Sequence, residues 1–223
     1  MPLFALLGLG LLLGMRHATD PDHVVAVAAI TAHTRRALGA AWLGIVWGLG
    51  HTLTLFGVGV VILLFNVVVP PRVGLSLEFA VALALIVVGL LNLNRPHRHE
   101  DTWNPAGSPG SGAIPTTRAF AVGLVHGLAG SAAVALLVLA TVRNPWWACG
   151  YLLVFGLGTI LGMTLITVSI ATPLAAAGQR WQSFGRWSRL ATGTLALAFG
   201  VWLVYQIGWR EGLFLNVAKW TPH

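Results

Sequence analysis

Acidic side chains are scarce in this chain: six Asp and Glu in 223 residues, against 13 Lys and Arg. Charged residues of both signs make up 9%, where a soluble domain carries roughly 25%, so an ordinary soluble fold is excluded. Cysteine occurs once, at Cys149, which rules out an intrachain disulfide, a Cys-based zinc site and dithiol redox chemistry. No Gly-x-x-x-x-Gly-Lys-Ser/Thr loop occurs, so ATP hydrolysis by this chain is not expected. Basic runs are also missing. The net charge of +7 comes from residues set singly or in small groups between apolar segments, the pattern of membrane orientation signals rather than of a nucleic-acid surface. The first residues lack a basic region ahead of the apolar run, so a cleaved signal peptide is not expected and Met1 to Met15 should remain in the mature protein.

What is abundant is apolar. Hydrophobic residues make up 57% and the mean hydropathy is +0.81, and runs long enough to cross a bilayer, ~17 to 25 residues, recur along the whole length. The expectation is an all-α integral membrane protein with about six transmembrane helices, near residues 2–34, 39–66, 74–94, 117–142, 147–173 and 187–208. Arg35-Arg36 and Pro70-Pro71 close the first two, and Pro145 and Pro173 mark later turns because proline is incompatible with a helix interior. Trp146, Trp147, Trp181, Trp187 and Trp209 fall at predicted ends, where amphipathic rings favour the interface. Between spans, Arg35, Arg36, Arg95, Arg98, Arg118, Arg180, Arg186 and Arg189 lie on one side and Arg72, Arg143, Arg210 and Lys219 on the other. By the positive-inside rule both termini are outside the cytoplasmic membrane.

The longest connection, 95–116, begins with His97-Arg98-His99-Glu100-Asp101 and continues as a Gly/Ser/Pro-rich stretch. Its composition is that of a flexible linker, and its His97 and His99 read as incidental to a solvated segment rather than as a metal trap. Cutting there exposes an internal repeat. Gly14-Met15-Arg16-His17 resembles Gly123-Leu124-Val125-His126, Trp47-Gly48-Leu49-Gly50-His51 resembles Phe155-Gly156-Leu157-Gly158-Thr159, and Leu83-Ala84-Leu85 with Gly89 resembles Leu195-Ala196-Leu197 with Gly200. Three spans per half insert the second half upside down. The domains read as a first repeat at 1–94, the linker at 95–116, and an inverted second repeat with the C-terminal tail at 117–223, an organisation whose ion sites form near the midplane between repeats.

The chemistry concentrates in Arg16-His17-Ala18-Thr19-Asp20-Pro21-Asp22-His23, where ionisable residues interrupt hydrocarbon at a cost that marks a functional site. Residues 2–34 would make ~50 Å of helix against a ~30 Å hydrocarbon core. Pro21 cannot donate to the His17 carbonyl and would clash with it, so the first span is expected to break there, with Asp20 as N-cap of a second half-helix. In an unbroken helix His17, Asp22 and His23 would diverge, at about 100° per residue. The break lets them converge and frees the His17 carbonyl as a further acceptor. Imidazole with carboxylate suits Ni, Co, Zn or Cu. His51 and His126 lie at bilayer depth, flanked by Gly44/Gly48, Gly123/Gly127 and Gly158/Gly162, small pairs that let helices approach closely. Interhelical hydrogen bonding is the plainer role for a membrane histidine, but four of them with Asp20 and Asp22 favour metal. Arg16 reads as a counter-charge to Asp20 or Asp22, and His33 as an interfacial residue near a helix end by Arg35, with a role in the ion's exit path as the lesser alternative.

The stretch from Arg16 to His23 resembles the nickel/cobalt transporter family, whose hallmark is His, four residues, then Asp-His. Gly50-His51-Thr52 resembles its second motif, and His126-Gly127-Leu128-Ala129-Gly130-Ser131-Ala132 is similar to its shorter UreH-type and high-affinity nickel-transport members. The larger family has eight spans where six are counted here. The resemblance implies transport of Ni²⁺ or Co²⁺ as substrate, with His17, Asp22 and His23 handling the metal and His51 a further contact. His126 and Asp20 complete the candidate set. No enzyme activity, no cofactor and no nucleic-acid partner is expected; the partners are the divalent ion and the lipid bilayer, a homo-oligomer is compatible with the pattern, and the residues give no support to a urease-assembly partner. Uptake is the expected direction, with efflux through the same site as the alternative. Two other classes compete: a membrane haem protein ligated by His51 and His126, and an intramembrane metalloenzyme using His17, Asp22 and His23.

Overall fold

A computed structural model of the chain describes residues 2–32, 34, 37–65, 69–94, 116–128, 141–142, 144–180, 184–215 and 218–220. Among these residues the regular structure is helical throughout: α1 (Leu3–His17), α2 (Pro21–Thr31), α3 (Ala37–Phe65), α4 (Pro71–Leu93), α5 (Thr116–His126), α6 (Pro145–Arg180) and α7 (Phe184–Tyr205), the last continued by a π-helical turn over Gln206–Arg210. Hydrocarbon demands this, because a backbone without water must satisfy its own N–H and C=O groups.

Four helices, α3, α4, α6 and α7, are long and apolar enough to cross a membrane, and α1 with α2 forms a fifth candidate bent by 58° at the break. Of the expected span 117–142 only 117–128 and 141–142 are described, so most of its second half, 129–140, lies outside the described residues. The same holds for the linker with His97 and His99, for His33, and for Arg35 and Arg36.

Proline sets most boundaries. Pro21 and Pro71 stand in the first turn of α2 and α4, where a missing N–H costs nothing. Pro145 opens α6, and the Asn144 side chain caps that helix by accepting from the Trp146 N–H at 2.9 Å, the cap chemistry expected of Asn. Pro173 departs from expectation: it lies inside α6, which runs on to Arg180. Spanning helices tolerate an interior proline because neighbouring groups re-satisfy the freed carbonyl. Trp146, Trp187 and Trp209 are at least half exposed at helix ends.

Packing is governed by glycine. α1 lies along α6, α5 along α3, α3 against α6 and α4 against α7. A Cβ on Gly14 would collide with the Phe155 carbonyl, and one on Gly123 with the Trp47 carbonyl; likewise Gly158 lies against the Leu11 carbonyl and Gly50 against that of Phe120. Without a hydrophobic drive between helices in lipid, such backbone contact is what holds them together. These contacts come in reciprocal pairs: α1 lies on α6 as α5 lies on α3, with matched partners 108 or 109 positions apart. Asn92 on α4 ties a third element in, donating to the Ala29 carbonyl of α2 at 3.1 Å and to Thr192 Oγ1 of α7 at 3.2 Å. At the far end of α4 the C-terminal tail returns, Trp220 covering Gly74 and donating its indole N–H to Glu78 at 2.8 Å.

Candidate metal site

The break between α1 and α2 is a turn of three residues. Thr19 N–H bonds the Arg16 carbonyl at 2.8 Å and Asp20 N–H the His17 carbonyl at 3.1 Å. The His17 carbonyl is therefore occupied by the turn, not freed as an acceptor as the sequence suggested. Asp20 is extended at φ −60° and ψ 143° and precedes Pro21 as expected, but its side chain does not cap α2. The carboxylate turns back instead and accepts from His17 Nδ1–H at 2.9 Å. Asp22 does the same for its neighbour, Oδ1 accepting from His23 Nδ1–H at 2.9 Å.

Holding the proton on Nδ1 leaves the Nε2 lone pair of each ring free, which is how carboxylates orient imidazole ligands. The two rings lie edge to face with centroids 4.7 Å apart. His51, from the middle of α3, brings its Nε2 to 3.1 Å from His17 Nε2 and its ring to 5.1 Å from that of His23. One ligand atom from each of His17, His23 and His51 lies within 4.8 Å of the other two, and all three residues are buried. His126, the last residue of α5, packs edge to face on His23 at 5.5 Å and donates Nδ1–H to the Val122 carbonyl at 3.3 Å. Gly127 then lies directly on the His51 carbonyl, which seats the end of α5 at the site.

His23 Nε2, His51 Nδ1 and His126 Nε2 are buried with no hydrogen-bond partner. An unsatisfied buried polar group costs ~1–3 kcal/mol, so each requires an explanation. A cation ligated by imidazole nitrogen supplies one for His23 Nε2, and the donor set of His17, His23 and His51 suits borderline divalent transition ions.

The structure thus brings His17, His23 and His51 together, sets His126 beside them, and places Asp20 and Asp22 behind the imidazoles. Asp20, Asp22 and His23 form a second, partly exposed group of possible ligand atoms within 4.8 Å. Arg16 is exposed, and among the described residues the two carboxylates meet His17 and His23 rather than Arg16. Two buried aromatics that the sequence reading passed over also touch the site. Phe155 lies 5.6 Å from His17 and Trp47 stacks on His23 at 6.1 Å; their matching positions in the two halves were the available signal.

The chain is similar to the urease accessory protein UreH of Bacillus sp. (strain TB-90), 35% identical over 221 residues that cover 95% of this chain and 96% of that one. No protein-family model matches the chain, and no solved structure matches it.

Proposed function

The chain belongs to the UreH-type members of the nickel/cobalt transporter family, and we propose that it is a secondary transporter carrying Ni²⁺ or Co²⁺ inward across the cytoplasmic membrane. The observation that carries this reading is the buried set of three imidazoles, His17, His23 and His51, whose ligand atoms lie within 4.8 Å of one another. His126 is the fourth imidazole at the site, and Asp22 and Asp20 orient His23 and His17.

The His17–His51 contact supports an ion between these rings. His17 carries its proton on Nδ1, so a hydrogen bond across the 3.1 Å gap requires His51 to carry its own on Nε2. A cation between the rings requires His51 to shift that hydrogen to Nδ1, the atom now without a partner, a tautomerisation that releases no proton. Ligation also requires each ring to be neutral, so protonation of these imidazoles competes with the metal and links an imposed pH gradient to loading and release.

Membrane potential alone is a sufficient driving force. A charge gains ~2.3 kcal/mol per 100 mV, so a divalent cation gains ~4.6 kcal/mol, enough for accumulation of about a thousandfold or more. The reciprocal glycine contacts between the halves support two inverted three-helix repeats, 1–94 and 117–223, joined by the segment 95–116 and rocking about the ion. Both termini then face outward. The relative's name ties it to urease; for this chain we propose that the contribution is the metal ion itself, with no contact to an assembly protein required.

Uptake of radiolabelled Ni²⁺ into cells expressing the chain, beside His17→Ala and His23→Ala, tests the reading. Accumulation lost in both variants, each inserted at native level, is the expected result. Accumulation below that of empty cells, restored by the variants, would reverse the direction to export. Equal accumulation in all would remove the site.

A further inference from the structure

We infer that Trp47 and Phe155 are the two gates of this transporter, each closing the histidine cluster toward one side of the membrane. The inference rests on the transport reading above, but its geometry is independent of which metal is carried.

The register of α3 and α6 puts the two rings on opposite sides of the site. Gly59 of α3 faces Leu152, Gly48 faces Ile160 and Gly44 faces Thr164, so residue numbers fall on α6 as they rise on α3 and the helices are antiparallel. Trp47 lies one turn before His51, toward Ala37. Phe155 adjoins Gly156, which faces Thr52, and so lies at the level of about residue 53, toward Phe65. Six residues at ~1.5 Å place their backbone positions about 9 Å apart along the helix axis, with His51 at a level between them.

Each ring touches the cluster and is sealed from behind. Phe155 lies against His17 and is packed by Tyr151, Leu6, Leu55 and Leu152. Trp47 stacks on His23 with an interplanar angle of 16° and is packed by Ala26, Val27, Leu85 and Met163. Both gates are 2% exposed, and the four site histidines are at most 5% exposed: the imidazoles are closed off on the Trp47 and Phe155 sides, while the Asp20 carboxylate bonded to His17 keeps 34% exposure. The Trp47 indole N–H and the Tyr151 hydroxyl behind Phe155 are buried without a partner. Native proteins seldom leave such donors unpaired, and rotation into an aqueous vestibule would satisfy both.

The two gates are also held alike. The backbone carbonyl of Phe155 lies on Gly14 of α1, and that of Trp47 on Gly123 of α5. Each gate is thus clamped by the helix of the opposite half that ends in a site histidine, His17 or His126. Sliding α1 on α6 releases Phe155 and leaves Trp47 shut; sliding α5 on α3 does the reverse. Because the two clamps are made by different helices, one barrier can open while the other stays closed, which a transporter must do to avoid a leak.

The test uses the full chain in proteoliposomes with Cys149→Ser removing the native thiol and His51→Cys placing a reporter between the gates. A membrane-impermeant maleimide is applied from either face. The closed arrangement predicts slow labelling from both. Adding Trp47→Ala is expected to raise the labelling rate about tenfold or more from one face, the gain available when a minor open state becomes dominant, and Phe155→Ala to do so from the other face only. Gain from the same face in both, or no change in either, would overturn the assignment. Trp47→Leu and Phe155→Leu, which keep apolar bulk, provide the same comparison with smaller gains if the alanine variants fail to fold. Nickel uptake is read separately in vesicles of Cys149→Ser with His51 intact: no uptake there would overturn the transport reading while face-specific labelling still stood.

Discussion

Replacing Asp22 separates an orienting carboxylate from a metal ligand. Its Oδ1 accepts from His23 Nδ1–H at 2.9 Å, and the pair is almost closed to solvent, at 0% for the His23 side chain and 15% for that of Asp22. Asp22→Asn preserves the shape and leaves an amide oxygen able to accept the same proton, so the bond changes from charge-assisted to neutral. Bonds to charged groups contribute ~1.5–3 kcal/mol and neutral ones ~0.5–1.5. The loss is therefore about 1–1.5 kcal/mol, or roughly five- to fifteenfold in metal affinity. Asp22→Ala removes the acceptor and lets the His23 ring turn, for which a loss of about 10- to 100-fold is expected of an outer-shell partner. Calorimetric titration of the purified protein with Ni²⁺ at fixed pH measures both. The ordering native, Asn, Ala in falling affinity supports the orienting role. Equal and far larger losses in Asn and Ala would make Asp22 a direct ligand, and native affinity in both would remove it from the site.

Three further outcomes are expected. Ni²⁺ affinity falls as pH is lowered, because each imidazole must be unprotonated to ligate; titration in buffers of different ionisation enthalpy counts the protons taken up per ion released. Gly50→Ala, whose Cβ meets the Phe120 carbonyl, lowers the melting temperature in detergent, whereas Gly57→Ala, which meets nothing within 4 Å, leaves it unchanged; overpacking of this kind costs ~1–3 kcal/mol, and equal effects of the two would refute the contact. Asn92→Leu, which removes the bonds from α4 to Ala29 and Thr192, is expected to destabilise the protein by about 0.6–2 kcal/mol, read by denaturation in mixed micelles.

Helix existence was legible from the apolar runs because the bilayer leaves a spanning chain almost no alternative. Pro21 announced the break, and the α1–α2 bend of 58° lies there. Pro173 misled because its local cost as a helix breaker is overridden once neighbouring groups satisfy the backbone. Asp20 stood at the expected N-cap position, yet its carboxylate bonds His17: a buried imidazole N–H within reach competed with the backbone donors of α2. The glycine pairs were legible as contact sites, though not the helices they would meet.

The amino-acid sequence by itself determined the solvent, since 57% apolar residues with 9% charge can only be buried in hydrocarbon, and it determined the chemistry on offer, imidazole and carboxylate beside a forced break. Local spacing carries that much because proline and hydropathy act within a turn or two of the chain. Only the tertiary structure decided that three imidazoles converge, that the carboxylates stand behind them, and that Trp47 and Phe155 flank the cluster. Those relations depend on the rotation and register of helices whose partners lie 34 to more than 100 residues apart, and these are set by where glycine lets one backbone touch another.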